Sequence, residues 1–165
     1  MKTKITGRIW KYGDDVNTDV IFPGKYTYSI SDPQEMAQHA LEDLDPTFVG
    51  NVQPGDIIVA GKNWGCGSSR EQAVTCLKEA GVGAIVARSF ARIYFRNCIN
   101  QALPIVTCDA VDGVEKGQEI TIDFAAGTVT TPGGEYHFPP LAPEVMEIIE
   151  DGGLIPHVRK RLGIA

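Results

Sequence analysis

With 165 residues, 43% hydrophobic and 22% charged, the chain carries enough apolar side chain to close a core and lacks the charge excess that keeps a segment disordered. A formal net charge of -6 and an isoelectric point near 5.0 exclude broad electrostatic binding to nucleic acid or an anionic membrane, either of which needs a basic face. No apolar run approaches a membrane span, and the opening MKTKITGRIWKYGDD lacks the apolar stretch of a signal peptide, so a cytoplasmic protein is expected.

Ile5–Trp10 reads as a strand, broken by the polar cluster Gly13–Asp19 (GDDVNTD). Its Asp14–Asp15 pair is assigned to turn capping and to no catalysis. Pro23–Asp32 (PGKYTYSISD) reads as a loop held in position by a short helix over Pro33–Leu44, capped by Ser31 or Asp32 with Pro33 at its first position. After the turn at Pro54–Asp56, Ile57–Ala60 is a short apolar strand that ends in the glycine-rich loop Gly61–Gly67. A helix from about Ser69 to Ala80 follows, burying Ala73, Val74, Leu77 and Ala80 and stopping at Gly81.

Ala84–Ala87 supplies the next strand, Phe90–Gln101 a helix and Leu103–Thr107 a further strand. This alternation predicts parallel strands with right-handed helical crossovers. Beyond it, Glu119–Phe124, Gly127–Thr131 and Glu135–Phe138 read as antiparallel strands, and Pro143–Glu150 and Ile155–Arg161 as helices. The expectation is one mixed α/β domain over residues 1–165, without internal repeat or linker.

Cysteines at 66, 76, 98 and 108 are too widely spaced for a CxxC motif, and His39, His137 and His157 pair with none of them. No metal is expected to be held by this chain alone, and Cys76 and Cys98 read as buried thiols. Arg88, Arg92 and Arg96 fall at helical spacing and invite a binding-patch reading, with a solvated stripe or structural ion pairs as the plainer and preferred one.

The chemistry concentrates in Gly61–Glu71 (GKNWGCGSSRE). A Walker-type loop needs lysine directly before its Ser/Thr, and Gly67 stands there; the dinucleotide fingerprint needs a third glycine where Arg70 stands. The glycines still permit positive backbone torsions and close approach of a ligand, and the helix start offers amide donors to an anion such as a carboxylate. Arg70 strengthens that reading, since a guanidinium there can fork onto a carboxylate with two charge-assisted bonds. The plainer alternative is that Ser68, with Glu71 three residues on, is a capping box that starts the helix.

The segments Gly13–Asp19 with Val20–Pro23, Val59–Ala73 (VAGKNWGCGSSREQA) and Arg88–Pro104 (RSFARIYFRNCINQALP) together resemble the swivelling domain of the aconitase superfamily, in the free-standing form found in 3-isopropylmalate dehydratase small subunits. The resemblance implies an aconitase-type swivelling β/β/α domain in a hydro-lyase that moves a hydroxyl between neighbouring carbons through an unsaturated intermediate. It implies a large partner subunit whose four-iron four-sulfur cluster binds the hydroxyl, while this chain binds no cofactor itself.

By the same resemblance Ser68 is the base that takes a proton from carbon, with backbone amides of Gly65, Cys66 and Gly67 around its alkoxide. Ser69 and Arg70 then bind a carboxylate of a small dicarboxylate substrate. Tricarboxylate-using relatives add an arginine from the loop after the first motif, whereas no arginine occurs here between Arg8 and Arg70. Lys25, Tyr26, Thr27 and Tyr28 stand in that loop, and the aromatic rings suit an apolar substituent, with simple packing of the loop as the other reading. Close alternatives are a hydro-lyase for citramalate, 2,3-dimethylmalate or homoaconitate; from a different class, a non-catalytic binding module of the same fold.

Overall fold

The computed structural model describes residues 4–164. Seven strands form one sheet: β1 (Lys4–Lys11), β2 (Ile57–Ala60), β3 (Ala84–Ala87), β4 (Ile105–Thr107), β5 (Glu119–Asp123), β6 (Thr128–Thr131) and β7 (Gly134–His137), in the order β4-β3-β2-β1-β5-β6-β7. Strands β1 to β4 pair in parallel. On the other side of β1, β5 to β7 pair antiparallel, with Ile5 opposite Ile122 and Val129 opposite Tyr136. β1 therefore joins the two halves.

Chemistry explains the split. β2 (IIVA) and β3 (AIVA) are apolar at every position and buried throughout, as parallel strands covered on both faces must be. Their alternate residues feed two cores. Ile58, Ala60, Ile85 and Ala87 face Trp64, Val74, Leu77, Tyr94 and Cys98 on the helical side. Ile57, Val59, Ala84 and Val86 join Ile120, Ile122, Val129 and Phe138, so the antiparallel half curls over the parallel half.

The helices are α1 (Thr18–Ile21), α2 (Pro33–Ala37), α3 (Phe48–Asn51), α4 (Gln72–Ala80), α5 (Arg92–Asn100), α6 (Pro143–Glu150) and α7 (Leu154–Arg161). α4 stops at Gly81, whose φ of 106° lets its amide close on the carbonyls of Leu77 and Lys78. Asp56, almost fully buried, ties the start of β2 to β1 by accepting from Trp10 Nε1 at 2.9 Å, Gln53 N at 2.9 Å and Arg8 Nη2 at 3.2 Å.

Two expectations are corrected. The helix expected over Pro33–Leu44 ends at Ala37 and continues as turns. Leu41, completely buried, takes a φ of 56° so that its amide reaches Ile21 O at 2.8 Å, and no regular helix passes through that conformation. Asp32 does precede this helix, but its side chain makes no capping bond. The helix expected from about Ser69 begins at Gln72, with Glu71 at the cap position and no side-chain cap. The Ser68–Glu71 capping box does not form, and residues 68–70 belong to the loop.

Candidate functional site

The loop after β2 is held between the segments before α1 and before α5. Gly61 N donates to Gly13 O at 3.1 Å, Gly65 N to Val16 O at 2.8 Å, and Thr18 N to Cys66 O at 2.8 Å. On the other side Arg88 N donates to Gly61 O, Trp64 N to Ser89 O, and Ala91 N to Trp64 O. Asp14 Oδ1 accepts from Lys62 N at 2.8 Å, and Asp15 Oδ1 from Asn63 Nδ2 at 3.0 Å. The acidic pair thus anchors the loop. Three sequence segments far apart in the chain are stitched by backbone bonds into one surface.

Gly65 is needed where it stands. Its φ is 82°, and a Cβ would lie 2.2 Å from Tyr94 Cγ. Tyr94 is buried beneath the loop, its hydroxyl donating to Ala73 O at 2.9 Å, and burial pushes its phenol well above the ordinary range. Gly67, at a φ of 93°, turns the chain back outward. The backbone N–H groups of residues 67–71 donate to no acceptor among the described residues. Such a run of unspent donors is the arrangement that stabilises developing negative charge on oxygen.

Ser68 and Ser69 are exposed on this turn, and neither hydroxyl is bonded to the described chain. Ser68 is fixed through its carbonyl, which accepts from Thr18 Oγ1 at 2.8 Å. Arg70 behaves differently. Its side chain is only 10% exposed; Nη1 donates to Thr27 Oγ1 at 2.8 Å, and Nη2 donates to Thr18 O at 2.6 Å and to Phe22 O. Asp19 Oδ1 lies 3.2 Å from the same Nη2, and Nε is buried without a partner. Of five N–H donors three are used and the Nε–H is buried, so one on Nη1 remains for a ligand. The expected two-bond fork onto a ligand carboxylate is therefore spent on the chain's own carbonyls, and Arg70 offers a single bond together with its charge.

Two hollows flank the triplet. The inner one, of about 170 Å³, is lined by Thr18, Gly65, Gly67 and residues 68–70 from the α1 segment and the loop, and by Ala91, Arg92, Ile93, Tyr94 and Asn97 from α5 and the residue before it. The outer one, of about 740 Å³ and wide open, lies between the same triplet and Asp19, Thr27 and Tyr28. Ser68, Ser69 and Arg70 are the residues common to both.

The loop residues expected to meet a substrate divide. Thr27 and Tyr28 line the outer hollow, with Tyr28 fully exposed. Lys25 and Tyr26 line neither hollow. Lys25 Nζ sits 3.9 Å from Glu42 Oε2, while the Tyr26 ring packs on His39 with 4.1 Å between centroids and its hydroxyl donates to Glu42 at 3.1 Å. Of the expected arginine stripe, Arg88 precedes α5 and is paired with Asp109 and Asp112. Arg92 instead lines the inner hollow.

Sequence reasoning missed Asn17, Thr18 and Asp19 as site-building residues. Asn17 caps α1 by accepting from Val20 N at 3.0 Å. An Asn-Thr-Asp run directly before Val-Ile-Phe is the signal of a helix start that would have found it.

The four cysteines are free thiols. Burial pushes Cys76, Cys98 and Cys108 upward, which removes them as nucleophiles. Cys66 is half-buried in the loop. Among the described residues, the one group that could gather a metal is Glu147, Asp151 and His157, and no three cysteines converge on a cluster site. The residues present do not fit an iron-sulfur cluster. No helix of the described residues is long and apolar enough to cross a membrane.

A curled α/β sheet that presents a Ser-Ser-Arg triplet beyond a buried parallel strand defines the class, and the aconitase C-terminal domain family matches residues 19–110. A 3-isopropylmalate dehydratase small subunit from Thermodesulfovibrio yellowstonii is 44% identical over 164 residues, covering 98% of this chain and 97% of that protein. One from Caldicellulosiruptor bescii is 50% identical over 159 residues, covering 94% and 95%. A crystal structure of a 3-isopropylmalate dehydratase from Methanocaldococcus jannaschii superposes with a TM-score of 0.92 at 40% identity, over 96% of this chain and 95% of that one. The chain belongs to the aconitase C-terminal domain family, among the small subunits of 3-isopropylmalate dehydratase.

Proposed function

We propose that this chain works as the small subunit of a cytoplasmic 3-isopropylmalate dehydratase, interconverting 2-isopropylmalate and 3-isopropylmalate in leucine biosynthesis only when joined to a large subunit. The observation that carries the reading is the position of Ser68, Ser69 and Arg70, shared by both hollows and backed by unspent amides. The iron-sulfur cluster is assigned to the large subunit, where it supplies the Lewis acid for the departing hydroxyl.

In this reading Ser68 Oγ, as an alkoxide, takes a proton from the carbon next to the carbinol. The released electron pair forms the double bond as the C–O bond breaks, and the hydroxyl leaves as hydroxide, which becomes water with a proton from an acid outside this chain; the proton taken by Ser68 is the one returned to carbon on rehydration. Addition of water in the opposite orientation gives the isomer. A serine hydroxyl is a poor base by its free pKa, so the alkoxide requires stabilisation by donors already in place. The amides of residues 67–71, with Gly65, Cys66 and Gly67 shaping the turn, and the nearby Arg70 charge fill that requirement. Ser69 and the free Nη1 donor of Arg70 hold a substrate carboxylate, with Thr27 and Tyr28 bordering the same space.

The test is anaerobic co-expression with a cluster-bearing large subunit and assay with 3-isopropylmalate, citramalate, 2,3-dimethylmalate and homocitrate. Turnover of 3-isopropylmalate that needs both chains supports the reading, and preference for another malate keeps the chemistry and changes the substrate. Inactivity with all four, in a stable complex with an intact cluster, rejects it.

A further inference from the structure

We propose that Arg92, at the start of α5, is the second carboxylate-binding residue of the site and sets its selectivity for dicarboxylates. This rests on the functional reading above and deepens it.

Charge balance is the first ground. A dicarboxylate brings two negative charges to a site where Arg70 is already matched by Asp19 at 3.2 Å and retains one free donor. The pair sums to zero, so within this chain the triplet alone offers the second carboxylate no counter-charge. Apart from Arg70, Arg92 is the only cationic side chain among the described residues that lines either hollow.

Commitment is the second ground. Arg92 is exposed and makes no ion pair or side-chain hydrogen bond with the described residues. Arg88, four residues earlier, is taken by Asp109 and Asp112, and Lys25 by Glu42. A planar guanidinium with all its donors free can take a carboxylate through two parallel bonds, which Arg70 cannot.

The shape of the inner hollow supplies the third ground. Arg92 and Asn97, with Ala91, Ile93 and Tyr94, bring the start of α5 into the same hollow that Ser68 and Arg70 line from the loop. Cationic side chains from two elements, with the apolar Ala91, Ile93 and Tyr94 beside Arg92 in the same lining, suit a four-carbon dicarboxylate carrying a small alkyl branch. They fit a monocarboxylate poorly.

The experiment uses the reconstituted two-subunit complex and compares Arg92→Gln, Arg92→Lys and, one turn further along α5 and outside both hollows, Arg96→Gln. Steady-state KM and kcat are measured, with competitive inhibition by a dicarboxylate and by a monocarboxylate analogue. Arg92→Gln should raise KM by about tenfold to a hundredfold, the loss of a charge-assisted pair, with kcat changed far less. It should weaken dicarboxylate inhibition equally and leave monocarboxylate inhibition in place. Arg92→Lys should recover part of the loss, and Arg96→Gln should match the wild type.

An unchanged KM in Arg92→Gln overturns the proposal. So does a loss of activity that added large subunit restores, because Arg92 would then be a subunit contact. A wild-type complex inactive on every dicarboxylate instead brings down the functional reading, and this role with it.

Discussion

Asp19 Oδ1 lies 3.2 Å from Arg70 Nη2, and that nitrogen also donates to the carbonyls of Thr18 and Phe22. The arginine of the triplet therefore locks the segment around α1 to the loop that carries the serines. Arg70→Lys keeps the charge but loses the fork. It should destabilise the isolated subunit by about 1–3 kcal/mol, since buried carbonyls lose their donors. Urea unfolding of the isolated subunit measures this, and an unchanged midpoint would show that the clamp contributes nothing to the fold.

Gly65→Ala should be more damaging than an exposed loop substitution. The φ of 82° disfavours any side chain, and the new methyl would sit 2.2 Å from Tyr94 Cγ. The loop must lift away from α5, at a cost of about 1–3 kcal/mol for the backbone alone. A lowered melting temperature together with lost turnover is expected, and wild-type values for both would refute the described contact.

Glu42 holds the Lys25–Tyr28 loop through Tyr26, and its carboxyl is kept below the ordinary range by the hydrogen bond from His39, with Tyr26 and the nearby charges of His39 and Lys25 assisting against slight desolvation. A depressed carboxylate contributes stability above its unfolded pKa and loses it as pH falls through the folded one. Glu42→Gln should therefore be less stable than wild type at neutral pH, and the gap should close below the ordinary carboxylate range. Parallel pH series of urea unfolding check this; a constant gap would contradict the assignment.

Much of the fold was legible because its signals are local. Buried parallel strands announce themselves as IIVA and AIVA, and Pro143–Glu150 was bounded correctly by its proline and by Gly152–Gly153. What escaped depends on distant partners. Leu41 leaves the helical conformation to reach Ile21, twenty positions earlier in the chain. Residues 68–70 stay outside α4 because Arg70 is drawn to Thr18, Phe22 and Thr27. Within the site, the glycine-rich turn and an anion-facing Arg70 were readable from residue types and spacing, and the roles of the Ser-Ser-Arg triplet came with the family resemblance. The diversion of Lys25 and Tyr26 to Glu42 was not, since nothing near either residue in sequence marks Glu42 or His39 as a partner.

The most direct measurement is turnover of the reconstituted complex carrying Ser68→Ala. The hydroxyl is exposed and bonded to no described residue, while the Thr18 bond goes to the backbone carbonyl that alanine keeps. Stability and subunit association should therefore stay within about 0.5 kcal/mol of wild type. Turnover should fall by about 10²- to 10⁴-fold, the contribution of a positioned general base. A Ser68→Ala complex that turns over 3-isopropylmalate within a few-fold of the wild-type rate would contradict the assignment of the base, whatever else in the loop proved correct.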